Sequence, residues 1–193
     1  MRSQRSQGAS RLLLESTLIV GSILLAFALN GWWEARQERQ LAERALASFE
    51  HEILQNRENL RNVMPYHQEL YELFAELSVT GSVRTFDDVR GLEGFAGWQP
   101  PFLTTTAWST AIATGALAHM DFDMVRELSA VYTLQDRYVQ HSDGAYLMAP
   151  GALTDANIGS TVISAEIFLM DVTHGARELL TAYDRLLEVL RMR

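Results

Sequence analysis

The stretch "RLLLESTLIVGSILLAFALNGWW", residues 11–33, constrains this chain more than any other. It is almost wholly apolar from Leu12 to Trp33, and those 22 residues make a helix about 33 Å long at about 1.5 Å per residue. A bilayer's hydrocarbon core is about 30 Å thick, so the length predicts a transmembrane span over 12–33. Its polar residues fall at the rims. Arg11 and Glu15 stand one turn apart at one end; Asn30, Trp32 and Trp33 stand at the other, where aromatic side chains favour the water boundary. Ser16, Thr17 and Ser22 interrupt the middle with hydroxyls able to bond back to their own helix. Gly21, Ser22 and Ala26 offer a thin flank for close approach of another helix, and packing against lipid alone is the equally simple alternative.

Two rival readings start from the same residues. A signal peptide also has a basic start, and Ala26-Phe27-Ala28 resembles a small-x-small cleavage site. The apolar run is long for a signal, however, and it passes without a turn into the helix-favouring "EARQERQLAERALASFEHEI". A buried globular helix seldom runs this far without a charged face. Residues 1–11 hold Arg2, Arg5 and Arg11 and no acid, whereas Arg36, Arg39 and Arg44 beyond the span are matched by Glu34, Glu38 and Glu43. The positive-inside rule then predicts residues 1–11 as a cytoplasmic tail and 34–193 as an extracytoplasmic domain, periplasmic where the host has two membranes.

Past residue 33 the chain carries 13 Arg against 23 Asp and Glu. So acidic a domain repels phosphate backbones, which argues against nucleic acid as a partner. Cysteine is absent, which excludes disulfides and thiolate metal sites. The patterning is helical throughout. Leu46, Phe49, Ile53, Asn56, Leu60 and Val63 repeat at spacings of 3 and 4 with one polar interruption, predicting that the span continues outward as one long helix, kinked at Pro65. Leu70, Leu73, Phe74 and Leu77 extend a second apolar face to Thr80-Gly81. Residues 80–101, rich in Gly with a Pro-Pro pair, read as an irregular connection. A short helix follows, with Thr104 to Thr106 as N-cap and Gly115 near its end. Asp121 caps the next helix, whose expected stripe is Phe122, Val125, Leu128, Tyr132 and Val139. After a loop over 142–160, Val162, Ala165, Leu169, Val172, Ala176, Leu179, Tyr183, Leu186 and Leu190 alternate by 3 and 4 without a break. The expected fold is all-α: one transmembrane helix running into an extracytoplasmic antiparallel helical bundle.

Groupings that carry chemistry are sparse. His51, His67, His119, His141 and His174 are isolated in sequence, and "MDFDMVRE" lacks the glycine and terminal Glu of a calcium loop. Asp87-Asp88 reads as a solvated pair. No nucleophile motif or phosphate-cradling loop appears, so the reading is a non-enzyme without metal or cofactor. The more informative residues are aromatics on loops. Phe95, Trp98 and Phe102, with Tyr146 and Met148 on the second loop, either fold back over the helices or contact a partner.

The "LLLESTLIVGSILLAFALNGWWEARQER" start, followed by "LASFEHEILQNRENL", resembles a family of small bacterial single-span membrane proteins of unknown function. "TTTAWSTAIATGALAHMDFDMVRELSAVY" is similar to that family's central segment, and the two regions cover roughly half the chain. The resemblance implies the topology above and no activity or site residues. The expected function is a single-pass accessory subunit in the bacterial inner membrane, stabilising a larger complex of integral membrane subunits, with a respiratory or photosynthetic assembly as the favoured setting. The alternative is a sensor-like periplasmic bundle that binds a small ligand between its helices and signals through a partner.

Overall fold

The structure, a computed structural model, describes residues 3–143 and 157–192. Among these residues it is all helical, without a strand: α1 (Ser3–Thr80), α2 (Phe86–Arg90), α3 (Thr106–Thr114), a 3₁₀ turn (Ala116–His119), α4 (Phe122–Ser142) and α5 (Ile158–Arg191). The chain divides into two compact units, one ending at Arg44 and the other beginning at Ala45.

The first unit is the N-terminal part of α1. Its side chains from Glu15 to Glu34 are all exposed, among them Leu18, Ile23, Leu24, Phe27 and Leu29. Ser22 Oγ donates to the Ile19 carbonyl at 2.8 Å, the back-bonding expected of a hydroxyl in an apolar helix. The Arg36 guanidinium lies over the Trp32 ring at 5.7 Å. This is the one helix among the described residues long and apolar enough to cross a membrane.

In the second unit α1 continues to Thr80 without stopping at Pro65. That proline and Arg61, the residue four positions before it, are both exposed. The carbonyl deprived of its partner there can bond water, which offsets the usual penalty of a mid-helix proline. Gly81, at φ 57°, ends the helix in the left-handed region.

Three helices pack side by side through apolar stripes. α1 contributes Phe49, Ile53, Leu60, Leu70, Phe74 and Leu77. α5 contributes Val162, Ala165, Leu169, Val172, Ala176, Leu179, Tyr183 and Leu186 in the expected register, with Leu190 half-buried. Ion pairs and a hydrogen bond fix the directions. Arg57 and Arg61 both reach Asp184, Arg177 reaches Gln68, and Arg191 lies 3.8 Å from Glu50, so α5 runs antiparallel to α1. His141 lies 3.9 Å from Asp171, and the Tyr138 ring sits against Gly175, so α5 is antiparallel to α4 as well. The pairs Phe49–Tyr132 and Asn56–Gln135 show that α1 and α4 run parallel. Two parallel neighbours need a long return connection. Residues 81–121 supply it.

Three expectations change. The α4 stripe is Met124, Leu128, Val131, Tyr132, Gln135 and Tyr138; Phe122 is 78 % exposed, and Val125 and Val139 are half-buried. At about 100° per residue Phe122 falls on the side of the helix opposite Met124, so it cannot join that face. The irregular connection contains α2, started by a reciprocal capping box. Thr85 Oγ1 accepts from Asp88 N, and the Asp88 carboxylate accepts from the backbone of Arg84 and Thr85. Those bonds, the Arg84 backbone foremost, hold the Asp88 carboxyl below its usual range, so it is a cap as well as a solvated group. Thr105 occupies the N-cap position of α3 but makes no side-chain cap bond.

Leu179 is fully buried in α5, and its truncation to Ala is expected to cost about 2–5 kcal/mol by the lost burial and the cavity left behind. Ile163→Ala, at a half-exposed position of the same helix, should stay within about 0.5 kcal/mol. Chemical denaturation of the two variants, followed by circular dichroism, compares them.

Candidate functional site

After α2 the chain turns back and runs along α1 from Phe95 to Ala107, opposite in direction to the helix. Side chains on one face of α1 take hold of it at successive turns. Phe74 meets Phe95 with ring centroids 6.1 Å apart. Tyr66 Oη donates to the Gly97 carbonyl at 2.5 Å and accepts from Ala96 N at 3.1 Å. His67 bonds the Gln99 carbonyl at 2.8 Å, and Asn59 donates to the Phe102 carbonyl at 2.8 Å. Asn56 bonds Thr104 twice, its amide donating to the carbonyl at 2.8 Å and its oxygen accepting from the backbone N–H at 2.9 Å. Glu52 accepts from Thr104 Oγ1 at 3.1 Å and from Ala107 N at 3.0 Å, and so caps α3 from another helix. Gly94 and Gly97 have φ of 83° and 78°, turns that residues with a Cβ resist.

Asn56 and Glu52 belong to a wider network buried among all three long helices. Gln135 of α4 donates to the Thr104 carbonyl at 2.9 Å and accepts from Asn56 at 3.1 Å and from Tyr183 Oη of α5 at 2.6 Å. Tyr132 Oη donates to Glu52 at 2.6 Å. Burial, first, and the Glu52 contact push the Tyr132 phenol well above its ordinary range; burial does the same to Tyr183 and Tyr138. Trp108 stacks on Tyr132 at 5.3 Å, closing the network from the α3 side. In sequence Asn56 showed only as the polar interruption of a seam. Its partners lie 48 and 79 positions away, beyond the reach of any local signal.

Further along, His67 is fully buried and stacks on Trp98 at 4.4 Å, while Trp98 meets Phe168 of α5 edge-on at 5.1 Å. The Gln99 carbonyl can only accept, so His67 Nε2 carries the proton and Nδ1 is a bare lone pair. Among the described residues, His67 Nδ1, Trp98 Nε1 and Tyr138 Oη find no hydrogen-bond partner. Burial lowers the His67 pKa below 6.5, against a smaller opposing effect of the Gln99 bond.

The loop aromatics thus divide. Phe95 and Trp98 fold back into the second unit; Phe102 is 76 % exposed, and Tyr146 and Met148 lie outside the described residues. Glu15, Gly21, Ser22, Ala26, Asn30, Trp32 and Trp33 are all exposed on α1, and Arg11 lies in the same helix one turn before Glu15. A Cβ added at Gly21 meets nothing within 4 Å. Among the described residues no three His, Asp or Glu side chains come together as a metal site. No protein-family model, curated protein or solved structure matches the chain.

Asn56→Ala should lower stability by about 1–3 kcal/mol, because it orphans the part-buried Thr104 N–H, removes one of two donors to the Thr104 carbonyl and removes a donor to Gln135. Asn59→Ala loses one exposed bond and should cost under about 1 kcal/mol; urea denaturation tests the contrast. His67 favours its neutral form in the folded state. Its contribution to stability is therefore complete above the unfolded value of 6.5 and is lost as pH falls from there through the lower folded-state value. Urea midpoints should drop over that range in the wild type. They should drop less in His67→Phe, once both are corrected to the value at pH 8.

Proposed function

We propose that this chain is a non-enzymatic, single-pass subunit of a larger bacterial membrane complex. In this reading α1 crosses the inner membrane over 12–33, residues 1–11 are cytoplasmic, and the acidic helical domain of 34–193 stands outside as an antiparallel bundle that steadies the assembly. One observation carries it: from Glu15 to Glu34 an apolar helix is exposed around its whole circumference. Leaving so much apolar surface in water is strongly unfavourable at about 25 cal/mol per Å², and lipid removes that cost. The imbalance of Arg around the span supports the orientation.

The interior of the second unit supports a structural role. The polar groups among its three helices, Glu52, Asn56, Tyr132, Gln135, Tyr183 and Thr104, are bonded to one another. They hold the return segment in place, as the interior of a structural domain would. The family resemblance and a respiratory or photosynthetic setting belong to the same proposal and await its test.

Membranes containing the native chain should retain it through alkaline carbonate washing. Mild-detergent extracts should carry it in a particle far above its own 21.7 kDa, with other integral membrane subunits identified by mass spectrometry. Release by carbonate, or migration as a lone small protein, would overturn the proposal.

A further inference from the structure

Between Gly94 and Pro100 the return segment lies at the surface of the second unit, and none of its residues is fully buried. His67 of α1, beneath it, is fully buried. Trp98 stacks on the His67 ring at 4.4 Å and the Gln99 carbonyl accepts from Nε2 at 2.8 Å, so this short stretch is a lid over one histidine. Its two ends differ. Gly94 turns the chain at φ 83°, and a Cβ added there meets nothing within 4 Å, so the turn rests on backbone freedom and not on packing. Pro100 and Pro101 stiffen the other end. Beyond them Asn59, Asn56 and Glu52 bond the chain at Phe102, Thr104 and Ala107. The lid can therefore move without its anchor.

While covered, the His67 ring suits only one charge state. Nε2–H is committed to Gln99, and Nδ1 is buried with no partner among the described residues. A proton at Nδ1 would add a buried charge and an unsatisfied donor. The face of Trp98 attracts a cation, but it supplies no acceptor for that proton. The titratable and charged neighbours supply none either. Residues 94–120 hold no Asp, Glu or Arg. On α1, Tyr66 is committed to Ala96 and Gly97, Tyr71 is half-buried, and Glu69 and Glu72 are exposed. On α5, Glu166 is half-buried and Asp171, His174 and Arg177 are exposed; Asp171 lies by His141 of α4, and Arg177 bonds Gln68. Tyr138 of α4 is buried, and its hydroxyl finds no partner among the described residues. Burial outweighs the Gln99 bond in setting the pKa of His67 below 6.5.

We propose that His67 and residues 94–101 form an acid-released latch: the neutral ring holds the segment closed, and a proton at Nδ1 lifts the segment and Trp98 off α1 while the Asn56 network keeps residues 104–107 in place. The latch lies wholly within the second unit, so it stands whether or not the span crosses a membrane. In the open state the ring meets water and titrates at its ordinary value of 6.5, so opening takes up one proton. The ratio of open to closed molecules then rises about tenfold per pH unit from 6.5 down to the closed-state value, and levels off below it.

Indole N–H exchange in the full chain, uniformly ¹⁵N-labelled and held in detergent micelles, tests the latch between pH 8 and 5. Ordinary carboxylates stay charged over that range, which leaves the histidines as the titrating side chains. Trp98 Nε1 is buried without an acceptor, so its proton exchanges when the lid opens; its resonance is the one lost in Trp98→Phe. After correction for the intrinsic effect of pH on exchange, its protection should lie about tenfold or more below that of the Leu179 amide, which reports unfolding of the whole unit. Below pH 6.5 it should fall about tenfold per pH unit. In His67→Gln, whose amide can still donate to Gln99 and does not titrate, that slope should vanish. His67→Phe keeps a ring against Trp98 and serves the same purpose if His67→Gln does not fold. Protection equal to that of Leu179, protection independent of pH in the wild type, or an undiminished slope in the folded variant would each overturn the latch.

Discussion

The grip of α1 on the backbone of residues 95–107 is the constraint on which the second unit depends. α1 and α4 run parallel, so the chain must travel back along α1 before α4 can begin. That return path is an extended segment with glycines and prolines, and it cannot satisfy its own backbone groups as a helix would. Buried backbone groups without partners are costly. The cost is met by side chains of α1: Tyr66, His67, Asn59, Asn56 and Glu52 each bond a main-chain group of the segment. The same residues fix the register between α1 and the start of α3.

The network around Asn56 extends that grip to the other helices. Gln135 bonds the same Thr104 carbonyl from α4, and Tyr183 bonds Gln135 from α5. An apolar seam alone tolerates sliding by one turn, since neighbouring Leu, Val and Ile positions are interchangeable to a first approximation. A connected set of buried hydrogen bonds does not, because a shift leaves every member unpaired at once. The buried polar groups therefore act chiefly on which packing is adopted, and the apolar stripes on how stable it is.

Local physics made much of this legible from residues alone. The capping bonds of Asp121 to Asp123 N and Met124 N, the left-handed Gly115 after α3, and the end of α1 at Thr80-Gly81 each follow from a few neighbouring residues. The α5 stripe followed from its period. The capping box at Thr85 was also present as T-x-x-D, but it lay in a stretch whose glycines and prolines dominated the reading. Phe122 lies off the α4 stripe: its apolarity next to the cap suggests membership, and its angular position excludes it.

By itself the sequence determined the all-helical class, the apolar length of residues 12–33 and the positions of most helix ends, because propensity, period and capping act over a turn or two. Only the tertiary structure decided that α1 and α4 run parallel, that Trp98 stacks on His67, and that Asn56, Gln135 and Tyr183 meet around the Thr104 carbonyl. Those contacts join residues that are tens of positions apart in the chain. Which distant pair meets is set by the collective packing of three helices and the path of one connection, and no local pattern encodes it.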